Sequence, residues 1–305
     1  MSSTAPTWGI EEIHIDLPAC SVRIEGLSRG QKNQVACDYS RLVGEPHDEP
    51  VTAEVVCQAT RLAVPLGRPI SSFSRNGQYT PLKRRHDSGI EITGYEFVAT
   101  VSRTGSTPME AVLSVADEME LASPDVLQNF LRIVTAHCAL DRGGVVLHSA
   151  GVVHDGRAVI LAGHSNVGKT TLARKAIGAG SKVLSDDINL VLPDNGEYRA
   201  FKVPFTGELG RLPDRDGGKR SYPLAGLALL EQAPRLTAAP VRPAAAVAGL
   251  LAASPFVNDD PEELPALLDI LTRLVAGVPV VRLGVARDNS YFAVIDTMLR
   301  SCEHG

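Results

Sequence analysis

The stretch Gly163-His164-Ser165-Asn166-Val167-Gly168-Lys169-Thr170-Thr171 constrains this chain more than any other. It satisfies G-x-x-x-x-G-K-[ST] in full, and that spacing has a physical cause. The glycines let the backbone curl until successive N–H groups point at one anion. The helix that follows turns its positive end toward the same point. In such a loop the ammonium of Lys169 reaches the β- and γ-phosphates of a nucleotide. The Thr170 hydroxyl is placed to ligate Mg2+. The motif names a ligand class, a nucleotide with Mg2+, and leaves the reaction open.

The surroundings narrow it. Two apolar runs, 145–154 and 158–162, flank Asp155-Gly156, a type I′ hairpin signal, and the second run feeds straight into the loop. A short helix follows from Lys169 to the region of Gly178–Gly180. "KVLSDD" then reads as a brief buried strand ending in Asp186 and Asp187. An aspartate at the end of such a strand is where a phosphate-loop protein holds its metal. With two in a row, one carboxylate can orient Mg2+ while the other accepts a proton from an attacking hydroxyl. Helix and return strand are both short, which sets the acids beside the phosphates. His148 stands in an apolar strand, where a lone histidine is more often a core residue than a functional one.

Composition bounds the rest. The chain has 305 residues, is 44% hydrophobic and 21% charged, and carries a formal net charge of -5. It can bury a proper core, as one large domain or two ordinary ones. Mild acidity argues against a nucleic-acid partner. The dense basic run Lys83-Arg84-Arg85-His86 reads as a solvated turn. Cys20, Cys37, Cys57, Cys138 and Cys302 are scattered, with no C-x-x-C, so they read as reduced thiols in a cytoplasmic protein. The first residues lack a signal pattern, and no apolar run approaches the ~20 residues of a membrane span.

Residues 8 to about 120 read as β-rich, with "RNGQ" at 75–78 as a hairpin cue. The first helix expected is 123–141. Ser123 caps it, Pro124 takes its first position, and Leu127, Phe130, Leu131, Val134 and Cys138 share one face. Gly143 or Gly144 ends it. Further on, 188–203 reads as a hairpin turning at Asn195-Gly196, and 206–223 as a polar, mobile loop. Strands are expected at 224–232 and 278–286. Helices are expected at 243–254, from Asp260-Pro261 onward, and at 291–301. The domains expected are a β-rich α+β domain over 1–122 and an α/β domain with a mixed sheet over 123–305.

The block from Leu147 to Val191 resembles the catalytic core of HPr kinase/phosphorylase, whose phosphate-loop core is shared with phosphoenolpyruvate carboxykinase. His148, the Gly163–Thr170 loop and Asp186-Asp187 match that family's pattern in order and approximate spacing. The resemblance implies a P-loop kinase fold and transfer of the γ-phosphoryl group of ATP to a hydroxyl. Lys169 would steady the transferred phosphate. Thr170 and Asp186 would hold Mg2+. Asp187 would act as base with His148 modulating it, although the two aspartates could exchange roles. Glu208 and Arg211, in "FTGELGRL", occupy a suitable region for substrate contacts. The first 120 residues do not resemble the family's sensor domain. Relatives found beside peptide natural-product genes resemble serine kinases acting on a precursor peptide, so the acceptor expected is a serine of a peptide or protein. A small-molecule hydroxyl, or a non-catalytic ATP-binding module, are the alternatives. The family also implies a ring-like homo-oligomer.

Two rivals fit less well. "DRDG" at 214–217 imitates a GTPase motif, yet the sequence holds no [NT]-K-x-D guanine reader. A carboxykinase would be longer and carry a second metal cluster. Intact lysine, threonine and paired carboxylates argue against a decayed nucleotide binder.

Overall fold

Alternate residues of the early strands are buried, as a two-residue period demands of a sheet covered on one face. In the computed structural model, residues 5–43, 54–62, 82–86, 89–94, 96–102, 108–210, 212 and 219–303 are described, with backbone alone for 82–86, 124 and 303. The first strands are β1 (Glu11–Asp16), β2 (Ser21–Leu27) and β3 (Val55–Arg61). They are followed by β4 (Leu82–His86), β5 (Gly89–Thr93), β6 (Phe97–Ser102) and β7 (Met109–Val115). They form one mixed sheet in the order β1-β2-β3-β7-β6-β5-β4. β2–β3 and β3–β7 are parallel. Ile13, Ile15, Val22 and Ile24 are buried, whereas Ile10, the first member of that apolar series, is 98% exposed.

The basic run at 83–86 forms β4 and pairs antiparallel with β5, so it is strand and not turn. The cue at 75–78 lies outside the described residues. A helix the β-rich reading did not anticipate is α1 (Arg29–Asp38). The Ser28 hydroxyl accepts from Gln31 N at 3.2 Å, and the Gln31 side chain accepts from Ser28 N at 2.9 Å. That reciprocal box was readable as Ser-x-x-Gln. It was masked because α1 buries only Gln31 and Val35 and has no apolar stripe to announce it.

The helix over 123–141 differs at its start. Pro124–Gln128 forms a wider π-type turn, and regular α2 runs from Asn129 to Asp141. Ser123 occupies the capping position, but its hydroxyl makes no hydrogen bond. The expected face is buried, and so are Ile133, Ala136, Ala139 and Leu140 around the other side. A helix buried on more than one face packs within a core, although here Arg132 stays half-buried and Asp141 exposed. Gly143 at φ 70 ends it, with Gly143 N bonding Leu140 O at 2.9 Å and Gly144 N bonding Ala139 O at 2.8 Å. This is the two-bond helix terminus that favours glycine at the first residue past the cap. The chain divides into two compact units, Met1–Thr135 and Ala136–Gly305, and the division falls inside α2.

In the second unit, Asp155 and Gly156 take left-handed backbone at φ 46 and 75. That turn closes β8 (Val145–His154) onto β9 (Arg157–Ala162). After β9 come α3 (Lys169–Gly178), β10 (Lys182–Ser185), β11 (Ile188–Asp194) and β12 (Glu197–Phe201). The β11–β12 turn at Asn195-Gly196 is again left-handed, at φ 50 and 84. β13 (Ser221–Gln232) starts three residues before the strand read from the sequence, taking in the end of the expected loop. β14 (Thr237–Pro240), α4 (Pro243–Ala252), α5 (Leu264–Gly277), β15 (Val280–Val285) and α6 (Tyr291–Glu303) complete the chain. α5 opens at Leu264 with Pro265 in its first turn, not at Asp260-Pro261. The Asp260 carboxylate instead accepts from Glu262 N at 3.1 Å within the preceding turn.

Strand pairing closes on itself. β8 bonds β11 through its first half and β9 and β10 through its second. β11 bonds β12, β12 bonds β13, and β13 runs parallel to β9, which returns to β8. β15 continues the sheet, parallel to β13. The second unit is thus a mixed α/β structure. β8 is buried along nearly its whole length, which explains its unbroken apolar sequence. Its core joins Val152, Val159 and Leu161 of the sheet to Leu172 and Ala176 of α3 and Val294, Ile295 and Met298 of α6. Among the described residues, no helix is long and apolar enough to cross a membrane. None of the five cysteines is joined in a disulfide.

Candidate functional site

The loop after β9 is shaped by two left-handed residues. Asn166 sits at φ 65, which its short polar side chain tolerates, and Gly168 at φ 114. Gly168 is also the N-terminal cap of α3 and, being glycine, brings no side chain to cap its first N–H groups. Gly163 is confined: a methyl group there would come within 2.9 Å of the Val167 side chain. Ser165 is half-buried, His164 is exposed with Nδ1 2.7 Å from Ser165 O, and Val167 is buried in the core beneath. Thr170 and Thr171 follow on the first turn of α3, half-buried and exposed respectively. From outside the motif, Gln232 Nε2 at the end of β13 donates to Asn166 O at 2.9 Å. Nothing local marked Gln232; only the β13–β9 pairing brings it there.

Lys169 is 6% exposed, and its ammonium donates to Gly163 O at 2.8 Å and His164 O at 3.0 Å. Burial pushes its pKa below the ordinary amine value, and the charges of Asp187 and Glu208 oppose that shift. The loop lysine, the second aspartate and Glu208 therefore share one electrostatic neighbourhood.

Asp186 is 4% exposed. Burial pushes its carboxyl above the usual range, Leu209 N–H works against that at 3.2 Å, and Asp187 and Glu208 add to it. The two charges that act on it, Asp187 and Glu208, are acidic. Such a donor set fits a cation: Mg2+ in nucleotide sites takes one or two carboxylates, several waters and the phosphates themselves. Among the described residues, no three His, Cys, Asp or Glu side chains enclose a metal by themselves.

The bend carrying both acids is tied down. Ser185 Oγ accepts from Asp187 N and Ile188 N, each at 3.2 Å. Asp187 O accepts from Ser149 N at 2.9 Å. Across the ladder, Ile188 lies opposite His148, so His148 and Asp187 are diagonal neighbours, with Nε2 3.6 Å from Oδ1. Beneath them, buried Asn189 donates to Ser149 O at 2.7 Å and Ser149 Oγ at 3.0 Å. The cap of α4 also reaches this strand, Ala253 O accepting from His148 N at 2.7 Å. The structure thus groups Lys169, Asp186, Asp187 and Glu208 electrostatically and pairs His148 with Asp187. Arg211, expected near substrate, lies outside the described residues, as does 214–217. Ser185, Asn189, Leu209 and Gln232 were not marked in the sequence. Their partners are remote or their roles are carried by backbone atoms, though Ser185 one residue before Asp186-Asp187 suited a local turn motif.

A family model described as "SynChlorMet cassette protein ScmC" matches residues 116–300, more than half of the chain. No curated protein matches. Among solved structures, the Hpr(Ser) kinase/phosphatase from Coxiella burnetii is similar at 14% identity and a TM-score of 0.33, over 52% of this chain and 90% of that one. With its family match running from the end of β7 nearly to the end of α6, the chain belongs to the ScmC family of SynChlorMet cassette proteins.

Proposed function

We propose that the protein is an ATP- and Mg2+-dependent phosphotransferase that moves the γ-phosphoryl group to a hydroxyl, a serine of a peptide or protein. The observation that carries this is the approach of His148 Nε2 to Asp187 Oδ1 at 3.6 Å, in a chain with a complete phosphate loop whose lysine is influenced by the charges of Asp187 and Glu208. A binder of nucleotide alone needs the loop and its lysine; it has no use for a second carboxylate paired with a histidine.

In this reading the loop amides and the start of α3 hold the phosphates. Thr170 and Asp186 would hold Mg2+, which when bound screens the charge that builds on the β- and γ-phosphates. Lys169 leaves the carbonyls of Gly163 and His164 and turns to the transferred group. Asp187 accepts the proton of the acceptor hydroxyl as its oxygen bonds to the γ-phosphorus and the bond to the β-phosphate oxygen breaks, releasing ADP. His148 stabilises the orientation of Asp187. The peptide acceptor rests on the resemblance of the Leu147–Val191 block.

The test is incubation of the purified protein with labelled ATP, Mg2+ and candidate peptides, followed by mass spectrometry of the acceptor. Transfer by the wild type and none by Asp187→Asn supports the reading. Tight ATP binding with no turnover for any hydroxyl leaves a binding module and ends it.

A further inference from the structure

The segment after β12 crosses directly over the two acids, and one of its residues is a glycine for reasons of space. A methyl group on Gly207 would lie 2.4 Å from Asp186 Oδ1, 2.9 Å from Asp186 Cγ and 2.7 Å from Asp187 Cβ. Side-chain carbons do not approach other atoms that closely, so something would have to move. None of the three can move cheaply. The Asp186 carboxylate is buried and held at its other oxygen by Leu209 N–H. The Asp187 Cβ rides on a backbone whose N–H is bonded to Ser185 Oγ and whose carbonyl is bonded to Ser149 N. Gly207 is itself pinned from the other side, its carbonyl accepting from Gly210 N at 3.1 Å.

We propose that Gly207 is a positioning residue for Asp186: the Gly207–Gly210 turn clamps that carboxylate in the orientation that serves Mg2+. One oxygen is fixed by Leu209 N–H, and the other lies against the bare Cα of Gly207. The same turn carries Glu208 into the electrostatic neighbourhood of Lys169, so it links the metal side of the site to the phosphate loop. The inference rests on the function proposed above, because it takes Asp186 as the residue facing Mg2+.

The test uses the full chain and a fluorescent ATP analogue, titrated in excess EDTA and in excess Mg2+. The wild type is expected to bind more tightly with Mg2+. Gly207→Ala should lose most of that gain, at least about tenfold in Kd, while its affinity in EDTA stays as in the wild type. Gly196→Ala, in the β11–β12 turn and outside the clamp, is the control. It also strains a turn, since Gly196 has φ 84, but its methyl group meets nothing within 4 Å; it should lower thermal stability and keep the Mg2+ gain. A Gly207→Ala protein with the full Mg2+ gain, or with equal losses in EDTA and Mg2+, overturns the proposal. A double-mutant cycle guards against a variant too unstable to titrate. The loss of Tm caused by Gly207→Ala should shrink in an Asp186→Ala background, and an equal loss in both backgrounds rejects the clamp. If the wild type binds no nucleotide, the proposed function falls by itself, and the cycle alone decides whether Gly207 holds Asp186.

Discussion

Nε2 of His148, on β8, lies 3.6 Å from Oδ1 of Asp187, in the bend that leads into the antiparallel neighbour β11. Neither is deeply buried: 16% of one side chain and 25% of the other remain exposed. The pair can therefore meet an acceptor from solvent, while both backbones are fixed by Ser149, Ser185 and Ala253.

Replacing Asp187 by Asn keeps the shape and removes the base. We expect kcat to fall by about 10²–10⁴, the usual contribution of a positioned general base, with nucleotide affinity unchanged. His148→Ala should cost less, because it acts through Asp187. Steady-state kinetics beside a nucleotide titration separates the two. An unfolded His148→Ala protein would show that the histidine is a packing residue.

Lys169→Ala removes a point charge from the transferred phosphoryl group. A loss of about 10²–10³ in single-turnover rate is expected, comparable to deleting one donor to a developing oxyanion. The ammonium bonds the carbonyls of Gly163 and His164 before it serves phosphate. Thermal melting without nucleotide should therefore also detect the change.

Asp186 should weaken the fold it serves. Its carboxyl is lifted above the ordinary range first by burial. Between the ordinary and lifted values, the folded chain binds more protons than the unfolded chain. The stability it contributes is complete below the ordinary carboxylate value and is lost as pH rises through the lifted one. At neutral pH, Asp186→Asn should thus melt higher than the wild type in EDTA while losing Mg2+-linked nucleotide binding. Lys169, lowered by burial, has the opposite slope. Its contribution is least at pH below its lowered value and returns as pH climbs to the ordinary amine value. Melting curves of wild type, Asp186→Asn and Lys169→Ala across pH check both signs.

Asn189→Ala leaves the buried carbonyl and hydroxyl of Ser149 without their donor. A loss of about 2 kcal/mol in denaturant unfolding is expected from such orphaned groups. Because Asn189 ties β8 to β11 directly below His148 and Asp187, kcat should fall more than nucleotide affinity does.

Features carried by a few consecutive residues were legible in the sequence. Asp155-Gly156 and Asn195-Gly196 dictate left-handed turns, and the Gly163–Thr170 run dictates its loop, because the φ values such turns need are accessible to few residue types. Ser28-x-x-Gln31 carried the same kind of local instruction for α1, and the β-rich pattern around it hid that signal. By contrast, α2 buries residues well beyond its expected face, and no reading of a single helix face reveals how many neighbours will cover it.

Reactive residue types, and their order along the chain, were thus set by sequence alone: a curled loop, a lysine, a histidine and two acids. Only tertiary structure decided that Gly207 lies against Asp186, that Leu209 N–H bonds its carboxylate, that Gln232 steadies the loop, and that the end of α4 reaches His148. The reason is that local backbone preference is settled within a turn or two of chain. A contact between residues far apart in sequence exists only once strand pairing has closed from β8 through β11, β12 and β13 back to β9.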